Sequence, residues 1–123
     1  NGTTPVKARL VHPEEGMGPV GSETYFCLQR SLTNVSSNLP LIVLENYGSG
    51  RPPQGDYQTA SMAVIEPTNG RTRLKDAFSK ESQVGIKIRG SSTAGRSKAS
   101  LSLEAQDEIG RDKNISLLGM PGE

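Results

Sequence analysis

A chain of 123 residues with 14 basic and 13 acidic side chains, one cysteine and no tryptophan has the length of one small domain. Neither sign of charge forms a long block, so no electrostatic footprint for nucleic acid or an anionic membrane stands out. Cys27 alone cannot form an internal disulfide or a paired-thiolate metal site, and His12 has no second histidine with which to hold zinc.

The apolar content is thin: Leu, Ile, Val and Phe make up 26 of the 123 residues, beside 14 Gly and 8 Pro. That is close to the level below which chains tend toward disorder. No apolar run approaches the roughly 20 residues that span a bilayer. The first residues lack the basic-then-apolar order of a signal peptide, a pattern compatible with an internal or mature segment.

In chain order, residues 6 to 12 (VKARLVH) and 24 to 30 (TYFCLQR) have the composition of strands. They are separated by PEEGMGPVGS, which has the Pro, Gly and Ser density of a loop. Residues 1–30 are therefore expected to form an antiparallel hairpin that needs a neighbour for stability. The polar stretch 31–38 reads as a linker. Leu39-Pro40-Leu41-Ile42-Val43-Leu44 is a continuous apolar run expected as a strand buried on both faces. A Gly- and Pro-rich loop, NYGSGRPPQGDYQ, leads to a further strand at 59–66, and Pro67-Thr68-Asn69-Gly70 is a turn. RTRLKDAFSK, residues 71–80, has Leu74, Ala77 and Phe78 on one side and is expected to make one or two helical turns. Strands at 83–89 and 99–105 follow, then a turn at Asp107–Gly110. The expected class is mainly β, α+β at most, with antiparallel sheets and one or two short helices.

The loop between those last two strands, Gly90-Ser91-Ser92-Thr93-Ala94-Gly95-Arg96-Ser97, misses the P-loop pattern GxxxxGK[ST] only by Arg96. A P-loop must open a helix, whereas Ala99, Leu101, Leu103 and Ala105 alternate with polar residues as a strand does. Arginine also lacks the compact charge of the P-loop lysine. Two readings stay open: a plain flexible connection, and a strand, Gly-rich loop, strand unit that covers nucleotide phosphates without a following helix. In the second, Arg89 and Lys98 bring positive charge to the two ends of the loop.

Several stretches together resemble a known family. Ser37 to Leu44 (SNLPLIVL), Ala60 to Ile65 (ASMAVI), Gly85 to Ser92 (GIKIRGSS), Lys98, Glu104, Gly110 and Ser116 to Pro121 (SLLGMP) look like the N-terminal part of CotH-type spore-coat kinase domains. No gap is needed between Gly85 and Pro121. The resemblance implies an atypical protein-kinase fold that transfers phosphate from ATP to protein serines with Mg, and it places Arg89, Gly90, Ser91, Ser92 and Lys98 on nucleotide-contact positions. It further implies that residues 39–123 are the N-terminal part of such a domain. The metal-binding and catalytic aspartates would then lie in a lobe beyond this chain, leaving no catalytic or metal-binding residue within it. Where the family has an aromatic residue, a proline, a second lysine and a tyrosine near the loop, this sequence has Arg96, Ser97, Ala99 and Leu101, which points away from tight ATP binding. Residues 1–30, through Lys7-Ala8-Arg9, Gly18-Pro19 and Ser22-Glu23-Thr24-Tyr25, resemble the closing strands of a fibronectin-type-III-like or chitobiase-terminal sandwich, a module that precedes such domains in large secreted bacterial proteins.

The expectation is thus a piece of a secreted or surface protein. Its partners would be a protein substrate or surface partner and the rest of its own polypeptide, with no nucleic acid and no membrane insertion. The alternative is a non-catalytic β-rich adhesion or scaffold module. Sequons at Asn1, Asn34 and Asn114 mark polar loops. Asp107, Glu108 and Asp112 form an acidic turn without the order of a calcium loop. Tyr47 and Tyr57 flank the Gly/Pro loop, as packing residues or as the rim of a site.

Overall fold

Period-2 alternation becomes eight strands in the computed structural model, which describes residues 2–122; the sequon at Asn1 and the final Glu123 lie outside the described residues. The class is mainly β, and all the sheets are antiparallel. Strands β1 (Thr4–His12) and β2 (Gly16–Tyr25) pair as a hairpin. Its connection ends on Gly16 at φ 83°, the left-handed position that a three-residue hairpin loop requires. His12 Nδ1 accepts the amide N–H groups of Glu14 and Glu15 at 3.3 and 3.2 Å, so this histidine closes the turn. The second strand therefore begins inside the stretch expected to be loop, and residues 26–30 lie outside it. One glycine meets the demands of the turn, and an exposed two-stranded ribbon tolerates Gly18, Pro19 and Gly21. The register shifts between Arg9 and Val11, where a side chain at residue 18 would approach Leu10 O to 3.3 Å.

The main sheet has the order β4 (Leu41–Glu45), β5 (Gln58–Ile65), β7 (Lys80–Ile88), β8 (Leu101–Gln106). The strand buried on both faces is β5, where Ala60 to Ile65 are all buried. The expectation for LPLIVL is corrected: β4 is an edge strand, with Ile42 46% and Leu44 37% exposed. Small residues explain the exchange, since Ala60, Ser61 and Ala63 let layers approach β5 closely on both sides. Alternate residues of the sheet form one apolar face, whose core of Ala60, Met62, Val64, Val84 and Ile86 is covered by Ile115 and Leu117. The opposite face carries Ser61, Gln83, Gly85 and Lys87. There Tyr57 lies so close to Gly85 that a Cβ would stand 2.9 Å from its Cβ, while Lys87 Nζ sits 4.2 Å from the centroid of its ring.

The hairpin meets this second face through polar groups. Lys7 Nζ donates to Gln83 Oε1 at 2.7 Å and to Glu108 O at 2.5 Å, and Thr24 Oγ1 lies 3.1 Å from Ser61 Oγ. Residues 31–38, read as a linker, carry part of a 3-10 turn (Arg30–Leu32) and strand β3 (Ser36–Ser37), which pairs with β6 (Thr72–Arg73). The helix expected over 71–80 is absent. The Asn69-Gly70 turn, with φ 54° and 74°, sends the chain back as β6, and Asp76 Oδ2 accepts the Arg73 amide at 2.8 Å in a closed turn. Leu74 is buried, and Phe78 packs edge-on against Phe26 at 5.2 Å. Those apolar residues are satisfied by a turn, without a helical face. Among the described residues no helix is long and apolar enough to cross a membrane.

Candidate anion-binding loop

Both long connections of the main sheet, 46–57 between β4 and β5 and 89–100 between β7 and β8, leave from the same end. The second contains Arg89, Gly90, Ser91, Ser92 and Lys98, all exposed, and it reverses direction between neighbouring antiparallel strands. The Arg89 amide donates to Ser100 O at 2.8 Å, which closes the base of the loop. Gly90 has φ 89°, and a Cβ there would stand 2.8 Å from Thr93 Oγ1, so only glycine fits. Two short turns follow, Ala94 N to Ser91 O at 3.4 Å and Arg96 N to Thr93 O at 3.2 Å, and Ala94 is buried beneath them. The chain leaves the loop as strand β8, which removes the P-loop reading because no helix terminus faces the loop.

The loop is held from outside by residues the sequence did not single out. Arg51 donates through Nη2 to Ala94 O and, at 2.8 Å, to Arg96 O; Gln54 Nε2 donates to Gly90 O at 3.2 Å; Pro53 O accepts the Ile88 amide at 2.7 Å. Their only signal in the sequence was the run Arg51-Pro52-Pro53-Gln54, in which the prolines stiffen the backbone that carries the two donors. With the carbonyls of Gly90, Ala94 and Arg96 turned toward Gln54 and Arg51, the loop keeps the amides of Ser91, Ser92, Ser97 and Lys98 without a hydrogen-bond partner among the described residues.

Charge within this loop is one-sided, with the nearest carboxylate of the neighbouring connection at Asp56. The loop carries Arg89, Arg96 and Lys98, no carboxylate occurs from residue 82 through residue 103, and among the described residues the only ion pair is Lys113–Glu108 at 3.9 Å, elsewhere in the molecule. Free amides, serine hydroxyls and cations are the donor set that accepts phosphate oxygens. The same set offers no carboxylate to a divalent metal, whose anionic oxygen ligands would have to come with the nucleotide or from other residues.

The remaining candidates are engaged in folding. Asp107 Oδ1 accepts the amides of Ile109 and Arg111 at 2.9 and 2.8 Å, so the acidic turn is closed on itself. The Arg111 amide, helped by that of Ile109 and by the charges of Arg111 and Lys113, holds the Asp107 carboxyl below its ordinary range against a smaller opposing effect of burial. Glu108 pairs with Lys113. No group of three or more potential metal ligands comes together among the described residues. Tyr47 places its hydroxyl 2.5 Å from Ser61 Oγ under the hairpin, and Tyr57 packs on Gly85. Comparison with protein-family models, with curated proteins and with solved structures gives no match to this chain.

Proposed function

We propose that this chain is the nucleotide-side lobe of a secreted or surface CotH-like protein, an atypical serine kinase, in which the loop 89–98 receives the phosphates of ATP carried with Mg. The observation that supports the reading is the pinned loop: Arg51 and Gln54 draw its carbonyls to one side, which leaves the amides of Ser91, Ser92 and Lys98 and the side chains of Arg89 and Lys98 for an anion. Strand, Gly-rich loop and strand is the arrangement by which kinases cover phosphates. The resemblance assigns transfer chemistry to aspartates that this chain does not contain, so the role read here is binding and orientation of the nucleotide.

Titration of the protein with ATP·Mg, followed at each backbone amide by NMR, tests this. Shifts concentrated at residues 89–98, weakened several-fold by Lys98→Ala and by raised salt, are expected of charge-assisted contacts. Unmoved amides at ~10 mM nucleotide, well past the millimolar weak-binding range, would remove the nucleotide role. A second reading, a non-catalytic scaffold module, is favoured by the half-exposed Ile42, Leu44, Leu101 and Leu103 on the apolar face of the main sheet. Loop amides that ignore ATP while residues of that face respond to another protein would support it.

A further inference from the structure

The hydrogen-bond register of the main sheet decides which backbone groups face out at its edges. Val64 O accepts the Ser79 amide at 2.8 Å, so the backbone groups of Val64 face β7. The opposite side of the same ladder agrees, because the Ile88 amide turns from β8 to Pro53 O while the Arg89 amide turns to Ser100 O on the β8 side. Ile42 stands opposite Val64 and Leu44 opposite Met62, two residues away and in the same phase. Both are therefore non-hydrogen-bonded pairs, and the N–H and C=O of Ile42 and Leu44 point away from β5. Nothing among the described residues takes these groups.

The two edges of the sheet differ at one end. At β8 the returning chain covers only the end of the edge, with the Lys113 amide donating to Ala105 O at 3.0 Å and a bridge between Gln106 and Asp112, while the outward groups of Leu101 and Leu103 have no partner among the described residues. At β4 no chain returns. Edge strands are ordinarily guarded by lysine, proline, a bulge or an inward charge. Pro40, just before the strand and in the same phase as Ile42, offers no N–H there, but Leu41 to Glu45 itself has none of these guards: its one charge is at the last position, where Glu45 Oε1 accepts the Tyr47 amide at 2.9 Å.

We infer that the free edge of β4 is a self-association site, at which a second copy of this chain adds antiparallel about a two-fold axis through Val43. With Val43 opposite Val43, Ile42 of each copy faces Leu44 of the other, and these are the residues whose N–H and C=O point outward. Every outward group then gains a partner, in the alternation an antiparallel ladder demands. The same register sets half-exposed Ile42 beside half-exposed Leu44 on the continuing apolar face and a valine pair on the other, favourable cross-strand neighbours. Glu45 falls opposite Leu41, so no like charges meet. The strand thus matches itself in backbone groups, in apolar neighbours and in the absence of facing like charges, and the pairing closes as an isologous dimer.

Sedimentation of the unmodified protein between ~10 µM and ~1 mM, the range of weak, small interfaces, tests it. The expected result is a two-chain species that grows with concentration. A mixture of labelled and unlabelled protein should show contacts between Val43 methyls of different copies. Ile42→Pro removes an outward N–H that serves no bond within the chain and should reduce association at least ~10-fold with the strand signal intact. If that variant fails to fold, Leu44→Lys, which places a guarding charge on a half-exposed position, should do the same. A protein that remains monomeric at ~1 mM, a dimer whose intermolecular contacts come from β8, or a dimer indifferent to a folded variant overturns the inference. So does a monomer whose Ile42 and Leu44 amides respond only to a peptide of different sequence.

Discussion

Glu81 and Asp107 are pulled in opposite directions by their surroundings. Glu81 lies on β7 beside the docked hairpin; partial burial, with a smaller contribution from the negative charge of Glu23, holds its carboxyl above the ordinary range. Asp107 is held below that range, chiefly by the N–H of Arg111. The folded state thus binds more protons than the unfolded one at Glu81 and fewer at Asp107. At Glu81, stability is greatest below the unfolded carboxylate value and falls as pH rises through the raised folded one. At Asp107, stability is present above the unfolded value and falls as pH drops through the lowered folded one. Glu81→Gln is therefore expected to raise the urea midpoint at pH 7 and to leave it unchanged in acid, where the native carboxyl is already neutral. Asp107→Asn should lower the midpoint at pH 7 and lose its effect in acid. Urea titrations of both variants across pH 2 to 8 check this, and a neutral-pH loss in Glu81→Gln would show that the carboxylate is favourably paired. The sequence marked Asp107 as part of an acidic turn and did not mark Glu81, and neither shift was legible in it, because the causes, burial with Glu23 for one and a backbone amide for the other, are placed by the fold.

The elements that were legible are those whose signals are local. Asn69-Gly70 makes the turn its chemistry specifies, and Ala99 to Ala105 alternates because it belongs largely to a strand, β8. Errors came where composition stood in for pairing. GMGPVGSETY carries turn residues yet forms β2, because the pairing of His12 with Gly16 confines the turn to the residues between them. Arg73 to Asp76 closes a turn where three apolar residues suggested a helix. The candidate loop was located by its glycines and serines, whereas the clamp that shapes it comes from another connection some forty positions away. That separation yields a prediction for the element. Arg51→Ala removes the donor to Ala94 O and Arg96 O but leaves the sheet ladder untouched. Hydrogen exchange at the Ala94 and Arg96 amides should accelerate by at least ~10-fold, about the effect of losing 1.4 kcal/mol of local protection. Amides within β5 and β7 should keep their rates. Unchanged protection at Ala94 would mean that the loop holds its shape without Arg51.

At the scale of the molecule, the thin apolar composition is visible as a small core. The buried apolar residues include Ala60, Ala63 and Ala94, so much of the burial falls on Met62, Val64, Ile65, Val84 and Ile86. Mainly β architecture follows from the period-2 pattern and from the scarcity of helical faces. Which strand becomes central does not follow from hydrophobicity, because LPLIVL is the more apolar segment and TASMAVIE the more buried one. Position between two partners decides burial: β5 is paired on both sides, whereas β4 is paired on one. The same reasoning locates the weak point. Met62 is fully buried at the centre of the core cluster. Met62→Ala leaves a cavity that a sheet paired on both sides cannot collapse to fill, at a cost of about 2–5 kcal/mol. Small domains have only about 5–15 kcal/mol in total, and one with this little apolar burial belongs near the lower end. Met62→Ala should therefore lower the urea midpoint by a third or more, whereas Met17→Ala, in the exposed hairpin, should stay within ~0.5 kcal/mol of the parent. Comparable losses in the two variants would mean that the hairpin contributes to the global stability as strongly as the sheet core does. Because its visible bonds to the sheet are a handful of polar contacts from Lys7 and Thr24, the expected order is a large effect at Met62 and almost none at Met17.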